Sequence, residues 1–485
     1  MKVMIITEGG AGIGNGHISR CTSLYEAFEE KGIVPELVIN GDETYGALLR
    51  DKNYLILDWL KERKRLHELT EGADVAVIDS YLGEPDFYRD VSSSTGVGIY
   101  MDDYKRMDYP SGIVVNGSIG AEDLHYPRKE GITYLLGPRY IPLRRAFRYV
   151  PEKTLNERVK GIVVTLGGND ARNITPGIMR TLHDNHGELT KTVIIGPGFR
   201  NREEIEREAD SRTTMMYCSD AEEMKALMFE SDIAISAGGQ TLYELARVGV
   251  PAIAVAVADN QMDNIGGWQK AGFVEYAGRW EDKEVLRNIS DKVEALEDIR
   301  ARQRMSQIGR SVVDGKGAQR IVARIRGVFT KGALVVRRAE VKDMSAVFEL
   351  SNDPEIRRNS FHEEGIGLDD HRLWFAGKLS STDCVFLVAE AAGVFIGQVR
   401  FDVTGEEAVI SLGIGSDFRG LGLGQDILQK AIVHLKAHLP AVTMIRAYIK
   451  VENFLSVKFF ERARFRFVRK RVLHNQNALE YVLHV

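Results

Sequence analysis

The sequence predicts an α/β protein with two Rossmann-like halves, followed by a smaller α+β domain. Up to residue 330, short apolar runs alternate with helical patterns, and the alternation restarts near Arg158, as expected for two doubly wound parallel sheets. After Ala333 the apolar runs follow one another with few helices between them, which favours a mostly antiparallel sheet. We therefore expect three domains, over residues 1–145, 146–330 and 333–485.

The strand runs of the two halves are apolar and flanked by polar or glycine-rich segments, a pattern typical of strands buried on both faces. In the first half they are Val3–Thr7, Leu37–Asn40, Val75–Asp79, Ile99–Asp102 and Ile113–Asn116. In the second half they are Gly161–Leu166, Val193–Gly196, Ile233–Ser236 and Ala252–Val255. A helix is predicted over Ser19–Glu30, and the turn-rich stretch Gly137–Pro142 is the predicted hinge between the halves.

The third region alternates apolar and polar residues within its strand runs. Its predicted strands are Val385–Ala389, Phe395–Phe401, Val409–Ile414, Met444–Ile449, Phe467–Lys470 and Leu479–Leu483. An amphipathic helix is predicted over Gln425–Leu439. The segment Gly327–Gly332 is the predicted linker to this region.

The 485 residues carry a formal net charge of -5, with 44% hydrophobic and 27% charged residues, a composition typical of a globular protein. Nucleic-acid binding needs a basic face, so this charge does not favour a nucleic-acid partner. Three widely spaced cysteines favour a reduced compartment over a disulfide framework. The sequence holds no metal-ligand motif and no apolar run long enough for a signal peptide or a membrane span. We expect a cytoplasmic protein with no membrane partner and no metal.

The first predicted strand is followed by a glycine-rich loop that ends in a histidine. Six of the nine residues from Gly9 to His17 are glycine or alanine, which lets a ligand approach the backbone closely. The positive end of the helix that begins at His17 disfavours imidazolium, so a neutral ring able to act as a general base is expected. The alternative is an ordinary tight turn with a surface histidine. No Gly-Lys-Ser/Thr follows, as a phosphate-binding P-loop would need.

Acidic and phenolic residues follow two other strands of the first half. Asp79 and Tyr81 come at the end of one strand, where a carboxylate and a phenol would reach a cleft. An Asp that caps a helix beside a packing Tyr is the alternative interpretation. Asp102 and Asp103 follow the next strand and carry the same ambiguity.

In the second half, the pair Gly238-Gly239 comes immediately before a predicted helix. The free N–H groups and the dipole of such a helix start can hold a diphosphate. Glu244, one turn into that helix, can accept hydrogen bonds from both ribose hydroxyls. The alternative is a capping box formed by Thr241 and Glu244. Asn260 follows the next strand, where its amide can reach a sugar across the cleft.

These segments together resemble the UDP-sugar hydrolases of pseudaminic acid biosynthesis over about residues 1–330. The matching residues are Gly14, Gly16, His17, Arg20, Cys21, Asp79–Tyr81, Leu136–Tyr140, Gly167–Asp170, Ser236–Thr241, Glu244 and Asp259–Gln261. The resemblance implies the GT-B glycosyltransferase fold, similar to that of the enzyme that makes lipid II.

The same resemblance implies a reaction that needs no metal. Water displaces UDP, with inversion, at the anomeric carbon of UDP-2,4-diacetamido-2,4,6-trideoxy-altrose, and His17 is the general base. Tyr81 and Asn260 hold the sugar, whereas Glu244 and the Gly238–Thr241 loop hold UDP. The full set of implied UDP-sugar-binding residues is Gly14, Gly16, Arg20, Asp79, Tyr81, Gly168, Asn169, Gly238, Gly239, Gln240, Thr241, Glu244 and Asn260.

A second glycine-rich loop, Arg419–Gly424, joins a strand to a helix in the third region. Such a loop at a helix start can cradle an anion, or it can be a purely structural turn. Here it resembles the pyrophosphate-binding motif of GNAT acetyltransferases, and Asn352–Asn359 resembles the acceptor-side helix of the pseudaminic-pathway member. The resemblance covers about residues 333–485 and implies acetyl-CoA as co-substrate. The implied acetyl-CoA-binding residues are Leu412, Gly413, Ile414, Arg419, Gly420, Gly422, Gly424, Asn453 and Ser456.

Phe460 departs from that family, because many members carry a tyrosine there that protonates the leaving thiolate. A phenylalanine cannot donate a proton, so another donor or water serves, or the domain is not catalytic.

Both regions fit one pathway, with N-acetylation of a UDP-4-amino-sugar preceding release of UDP. Two other functions stay open: a GT-B glycosyltransferase with a modifying GNAT domain, and a sensor that binds UDP-sugar and CoA without turnover.

Overall fold

The computed structural model describes residues 1–10, 13, 16–217, 220–391 and 393–485. The chain divides into two compact units, Met1–Val322 and Ala323–Val485. The first unit holds two parallel sheets and the second holds one mixed sheet, which confirms the predicted fold class. Gly14 and Cys218 lie outside the described residues.

The first sheet has seven parallel strands in the order β3-β2-β1-β4-β5-β6-β7. Its strands are β1 (Val3–Gly9), β2 (Glu36–Gly41), β3 (Tyr54–Ile56), β4 (Ala73–Asp79), β5 (Thr95–Met101), β6 (Gly112–Asn116) and β7 (Ile132–Leu136). Its helices are α1 (Gly16–Glu29), α2 (Gly46–Leu49), α3 (Arg63–Thr70) and α4 (Pro85–Ser93). The strand order reverses between β1 and β4, which is where ligands bind in open α/β sheets.

The second sheet has six parallel strands in the order β10-β9-β8-β11-β12-β13. Its strands are β8 (Gly161–Thr165), β9 (Thr190–Ile194), β10 (Thr213–Met216), β11 (Ile233–Ala237), β12 (Ala252–Ala256) and β13 (Val274–Arg279). The helices that follow are α5 (Thr175–Asn185), α6 (Arg202–Arg207), α7 (Ala221–Glu230), α8 (Thr241–Val248), α9 (Met262–Ala271), α10 (Val285–Ala295), α11 (Ile299–Val312) and α12 (Gly317–Gly332). This sheet also reverses its order, between β8 and β11.

The third sheet has the order β14-β15-β16-β17-β18-β20-β19 and is antiparallel except between β17 and β18. Its strands are β14 (Leu334–Arg338), β15 (Cys384–Ala391), β16 (Val394–Thr404), β17 (Glu407–Ile414), β18 (Met444–Lys450), β19 (Arg466–Leu473) and β20 (Gln476–His484). Its helices are α13 (Met344–Ser351), α14 (Pro354–Asn359), α15 (Leu368–Ser380), α16 (Gly424–His438) and α17 (Phe454–Arg462). Helix α16 packs on one face of the sheet, and α13 and α15 pack on the other.

The predicted linker Gly327–Gly332 is wrong, because these residues form the last part of α12. A methyl group at Gly327 would lie 2.5 Å from the carbonyl oxygen of Leu421. Glycine is therefore needed there for close packing of the helix, not for chain flexibility. The turn-rich stretch Gly137–Pro142 does form a turn, with a φ of 90° at Gly137. Within the described part of the chain, no helix is long and apolar enough to cross a membrane.

Candidate functional site

Acidic side chains converge at one edge of the first sheet. Glu8 lies near the end of β1, Asp79 ends β4, and Asp103 follows β5. The carboxyl ends of parallel strands lie at one edge of the sheet, so these three carboxylates lie at the same edge. Helix α1 begins beside them at Gly16, where a methyl group would meet no described atom within 4 Å.

His17 forms a buried polar cluster with Asp79 and Arg20. The Nδ1 atom of His17 lies 2.7 Å from Oδ1 of Asp79, which is fully buried. Arg20 donates to both oxygens of that carboxylate, from Nε at 2.7 Å and from Nη2 at 2.6 Å. His17 itself is 8% exposed. The sequence placed these three residues in one site, and the structure brings them together.

The Asp79 carboxylate fixes the protonation of the imidazole. Burial by itself would raise the pKa of Asp79, but the charge of Arg20 and the contact with His17 outweigh it and hold the pKa well below its usual range. An ionised carboxylate only accepts hydrogen bonds, so Nδ1 of His17 carries a proton. Nε2 is then the ring nitrogen left for proton transfer, as in a general base oriented by a carboxylate.

Two further acids complete this cluster, and sequence reasoning missed one of them. Asp103 accepts from Arg20 Nη1 at 2.5 Å and also from the hydroxyl of Tyr81. The Tyr81 ring meets the His17 ring edge-on, with centroids 4.6 Å apart. Glu8, the missed residue, lies 3.9 Å from His17 Nε2 through Oε1, which also accepts from Tyr81 N at 2.8 Å. A carboxylate at the end of a buried strand was the signal that could have found Glu8.

The hydroxyl of Tyr81 stays protonated throughout the ordinary pH range and donates a hydrogen bond to Asp103. Burial raises its pKa, and the neighbouring Asp103 carboxylate raises it further. Tyr81 therefore presents a fixed O–H group beside the imidazole of His17, suited to hydrogen bonding within a polar site.

In the second half, α8 begins at Thr241, two residues after the glycine pair. Within the described residues no side chain caps this helix. Leu242 N and Tyr243 N already donate to the carbonyl oxygens of Gly239 and Gln240, at 3.2 and 2.9 Å, so an anion would bind the N–H groups of the Gly239–Thr241 segment before them. A methyl group at Gly238 would lie 2.5 Å from Cδ1 of Ile265 in α9, whereas one at Gly239 would meet no described atom within 4 Å. Gln240 donates from Nε2 to the carbonyl oxygen of Pro142 at 2.8 Å.

Glu244 is held by an arginine that the sequence did not single out. Arg144 donates from Nε to Oε1 and from Nη2 to Oε2, both at 2.8 Å, and Glu244 is 4% exposed. The capping box with Thr241 is wrong, because Gln240 is the N-cap and α8 has no side-chain cap among the described residues. Each carboxylate oxygen can still accept a second hydrogen bond, so the ribose role of Glu244 stays a prediction.

A cavity of about 300 Å³ lies beside this loop and is lined from both halves of the first unit. Asn169 and Asn260, both predicted site residues, line it. Ile13 is the contribution of the first half. The remaining lining residues are Leu166, Asp170, Ala171, Arg172, Val257, Ala258 and Gln261. Gly168, which precedes Asn169 in the sequence, accepts a hydrogen bond at its carbonyl oxygen from Gly198 N at 3.0 Å.

A hydrogen-bond chain joins the first half to the glycine loop. Ile119 N, after β6, donates to the Tyr243 hydroxyl at 2.9 Å, and that hydroxyl donates to Asn264 Oδ1 at 2.5 Å. Asn264 Nδ2 then donates to the carbonyl oxygen of Gly238 at 2.8 Å. The position of the loop is therefore tied to the first half through buried groups.

In the second unit, the two parallel strands diverge. The pairing of β17 with β18 ends at Val409 and Arg446, while β17 continues to Ile414. The predicted residues Leu412, Gly413 and Ile414 lie on this diverging part. No ladder bond to β18 is made by this part of β17, and the carbonyl oxygen of Ile414 accepts from Arg419 Nε, so the backbone of Leu412 and Gly413 is the part suited to a linear, amide-bearing ligand.

The loop after β17 is anchored by buried leucines and turned by glycines. Leu421 and Leu423 are buried, and the φ angles are 75° at Gly420 and 79° at Gly422. Positive φ values turn successive N–H groups toward one concave side, an anion-binding arrangement. A methyl group at Gly424 would lie 2.8 Å from Cε2 of Phe459, so α16 begins with a close approach to α17.

The other predicted acetyl-CoA residues have partners within the protein. Arg419 donates to Ile414 O at 2.8 Å and to Asp353 Oδ1 at 2.7 Å. Asn453 caps α17 by accepting from Ser456 N at 3.0 Å. Their contacts with CoA stay predictions. Phe460 is 8% exposed and packs against its aromatic neighbours in the core.

Two family models match the chain. The C-terminal domain of glycosyltransferase family 28 matches residues 155–305, and the GNAT acetyltransferase domain matches residues 333–466. The two matches together confirm the fusion that the sequence predicted. The second unit therefore carries a GNAT acetyltransferase domain, and the first carries a domain like those of nucleotide-sugar glycosyltransferases. Among the described residues, no group of three or more His, Cys, Asp or Glu side chains could hold a metal ion.

Several curated proteins are similar to this chain. Uncharacterized protein MJ1062 of Methanocaldococcus jannaschii is 23% identical, over 97% of this chain and 98% of its own. The spore coat polysaccharide biosynthesis protein SpsG of Bacillus subtilis is 24% identical, over 68% of this chain and 99% of its own. The Helicobacter pylori pseudaminic acid cytidylyltransferase and UDP-2,4-diacetamido-2,4,6-trideoxy-beta-L-altropyranose hydrolase is 24% identical over 59% of this chain. That match spans about half of the Helicobacter protein, 52% of its length.

Solved structures of acetyltransferases match about a third of the chain. The spermidine N-acetyltransferase of Vibrio cholerae, solved with CoA and spermine, is 18% identical and covers 32% of this chain and 96% of its own, with a TM-score of 0.29.

Proposed function

We propose that the chain is a bifunctional enzyme of pseudaminic acid biosynthesis. Its first two domains, residues 1–145 and 146–330, hydrolyse UDP-2,4-diacetamido-2,4,6-trideoxy-altrose to the free sugar and UDP. Its third, residues 333–485, transfers an acetyl group from acetyl-CoA to the 4-amino group of the UDP-sugar precursor. The observation that carries the hydrolase proposal is the contact between His17 and Asp79, 2.7 Å apart.

In the proposed hydrolysis, His17 Nε2 takes a proton from water as the water oxygen bonds to the anomeric carbon. The bond from that carbon to the diphosphate oxygen breaks, and its electron pair leaves with UDP. Attack opposite the leaving group inverts the carbon. Asp79, and Glu8 at 3.9 Å from Nε2, stabilise the imidazolium that forms.

The residues of the second half fit a departing diphosphate. The open space at Gly239 and the absence of a side-chain cap on α8 among the described residues let the N–H groups of the Gly239–Thr241 segment donate to phosphate oxygens. The match to the glycosyltransferase family 28 C-terminal domain supports a nucleotide-sugar ligand here. The name of the Helicobacter relative supports hydrolysis of this particular sugar.

In the proposed acetyl transfer, the acceptor amine attacks the thioester carbonyl, and the carbon–sulfur bond breaks to release CoA thiolate. The amine loses one proton to solvent, and the thiolate takes one from water, because Phe460 cannot donate. The diverging part of β17 and the glycine loop before α16 fit acetyl-CoA, and the GNAT match supports that co-substrate.

Both reactions can be tested on the purified full chain. In water enriched in ¹⁸O, hydrolysis at carbon labels the free sugar and leaves the released UDP unlabelled. Label in UDP would contradict attack at the anomeric carbon.

With the UDP-4-amino-sugar and acetyl-CoA, we expect free CoA thiol and an N-acetylated UDP-sugar. Absence of thiol release would contradict the acetyltransferase proposal and favour a CoA-binding sensor.

A glycosyltransferase is the second candidate function for the first unit, favoured by the family 28 match. It would use a sugar or lipid hydroxyl in place of water. It predicts that UDP appears only after an acceptor hydroxyl is added. UDP release in buffer alone therefore separates the two functions.

A further inference from the structure

One face of the third sheet is polar beside the diverging strands. Alternate residues of β18 point to the same face, so Tyr448 and Lys450 share a face, and Ile449 lies in the core on the other. Lys450 Nζ donates to the carbonyl oxygen of Arg358 at 2.9 Å, which places this face on the side of α14. Tyr448 lies beyond Arg446, where the pairing with β17 has ended.

Guanidinium groups dominate this face across β18, β20 and β19. Glu480 of β20 is fully buried beneath them. Arg446 and Arg469 both donate to it, the latter from Nε to Oε2 at 2.9 Å. Arg471 Nη1 lies 3.6 Å from the same oxygen. One carboxylate thus faces three guanidinium groups, and the excess charge is positive even though Arg446 also pairs with Glu407.

The outer two arginines remain accessible. The side chains of Arg469 and Arg471 are 62% and 36% exposed. Their shared anchor on Glu480 holds them in fixed positions, which lowers the entropy lost when a ligand orders them. A fixed, exposed guanidinium is the group that best matches a phosphate oxygen pair.

Arg471 extends from the edge strand toward the point where β17 and β18 separate. Its Nη1 donates to the Tyr448 hydroxyl at 3.1 Å, and its guanidinium lies 5.4 Å from the centre of that ring. Strand β20 lies between β19 and β18, so the strands that carry the two residues are roughly 10 Å apart.

We propose that Arg469 and Arg471 bind the diphosphate of the amine acceptor, so that the acetyltransferase unit takes a nucleotide-linked amino sugar and not a cationic polyamine. The inference rests on the proposed acetyl transfer and adds the residues that select its acceptor. The amine then reaches the thioester between β17 and β18 while the diphosphate stays on the arginines. Repulsion by the same arginines disfavours a polyamine.

The test compares three amines in steady-state acetyl transfer by the full chain: the UDP-4-amino-sugar, the same sugar without UDP, and spermidine. We expect the UDP-linked amine to have the lowest KM. Arg471→Gln should raise that KM about tenfold, the scale of one lost charge-assisted hydrogen bond, with kcat and the KM for acetyl-CoA little changed. The KM for the sugar without UDP should not move.

Lys470→Gln is the matched control. Lys470 is the neighbour of Arg471 on β19 and points to the opposite face. The Lys470→Gln substitution therefore removes one positive charge from the same strand and leaves Arg469 and Arg471 unchanged. Equal KM values for the two variants, or a KM for spermidine below that of the UDP-linked amine, would overturn the inference and leave acetyl transfer standing. No turnover of any of the three amines would overturn the proposed acetyl transfer as well.

Arg471→Gln should also lower the thermal midpoint, because the arginine contacts Tyr448. Arg471→Lys separates this loss of stability from the loss of substrate binding. It keeps the charge but loses the planar fork, so we expect a KM between those of the parent and Arg471→Gln. If Arg471→Lys has a KM as high as that of Arg471→Gln and the thermal midpoint of the parent, the planar guanidinium matters more than its charge. That result would still assign the diphosphate to Arg471. A parent-like KM in all arginine variants would overturn the assignment.

Discussion

The Nδ1 atom of His17 lies 2.7 Å from Oδ1 of Asp79, and Arg20 donates two further hydrogen bonds to the same carboxylate. This relationship turns Nε2 away from the carboxylate, as the proposed role of a general base requires. A histidine that is only 8% exposed fits that proposal because its surroundings are polar.

Removing the imidazole should abolish most hydrolysis. We expect His17→Ala to lower the rate of UDP release by about 10²–10⁴-fold, the usual contribution of a general base. UDP affinity, measured by calorimetry, should change little, because the proposed diphosphate site lies in the second half. Acetyl transfer by the same preparation should be unchanged and serves as the internal control.

His67→Ala is the control for loss of a histidine, because His67 is exposed on α3. It should release UDP at the parent rate. Equal rates for His17→Ala and the parent would contradict the hydrolase mechanism.

The two glycines before α8 should respond differently to a methyl group. Gly238→Ala should destabilise the first unit by about 1–3 kcal/mol through overpacking against Ile265. Gly239→Ala should leave stability unchanged, since a methyl group there meets no described atom within 4 Å. It should instead lower UDP affinity about tenfold, equivalent to about 1.4 kcal/mol of lost contact. Chemical denaturation and calorimetry measure the two effects, and parent-like UDP affinity in Gly239→Ala would place the diphosphate elsewhere.

The link between the halves should depend on one hydroxyl. Tyr243→Phe leaves the Ile119 N–H and the Asn264 carbonyl oxygen unsatisfied, which should cost about 1–3 kcal/mol of unfolding free energy. It should also slow hydrolysis more than it weakens UDP binding, because the alignment of the two halves is loosened. Tyr276→Phe is a suitable control, since its hydroxyl contacts only a weak acceptor, Met262 Sδ at 3.6 Å, among the described residues. Similar denaturation midpoints for the two variants would contradict this role of Tyr243.

The acetyltransferase unit should lose stability in mild acid through His371. Burial lowers the pKa of this imidazole, partly opposed by a backbone contact with Met344. The unfolded chain, with its pKa of about 6.5, therefore binds a proton more readily than the folded chain. Unfolding free energy should fall as pH drops below about 6.5 and should be largest above it.

Hydrogen exchange of the α15 amides measures this dependence. In His371→Leu the protection of α15 should vary less between neutral and mildly acidic pH than in the parent. The same pH dependence in both proteins would assign the effect to other groups. Hydrolysis, which belongs to the first unit, should be unaffected by the substitution.

The sequence predicted the central strands well and missed every edge strand except β19. The unpredicted strands β3, β7, β10, β13 and β14 all lie at the edges of their sheets. A central strand is buried on both faces and has a continuous apolar run, whereas an edge strand is partly exposed and mixes polar residues with apolar ones. Gly327–Gly332 failed for a related reason, because a glycine needed for close packing resembles a glycine needed for flexibility.

The residue types at the strand ends determined where the site would be: His17, Asp79, Tyr81 and the glycine loops were all predicted from their order along the chain. Only the tertiary structure decided which side chains pair. Arg144 contacts Glu244 across a hundred residues, and Glu8 and Asp103 join the cluster around His17. Local sequence sets propensity and periodicity, but pairing between distant groups depends on which strand ends the sheet order brings side by side.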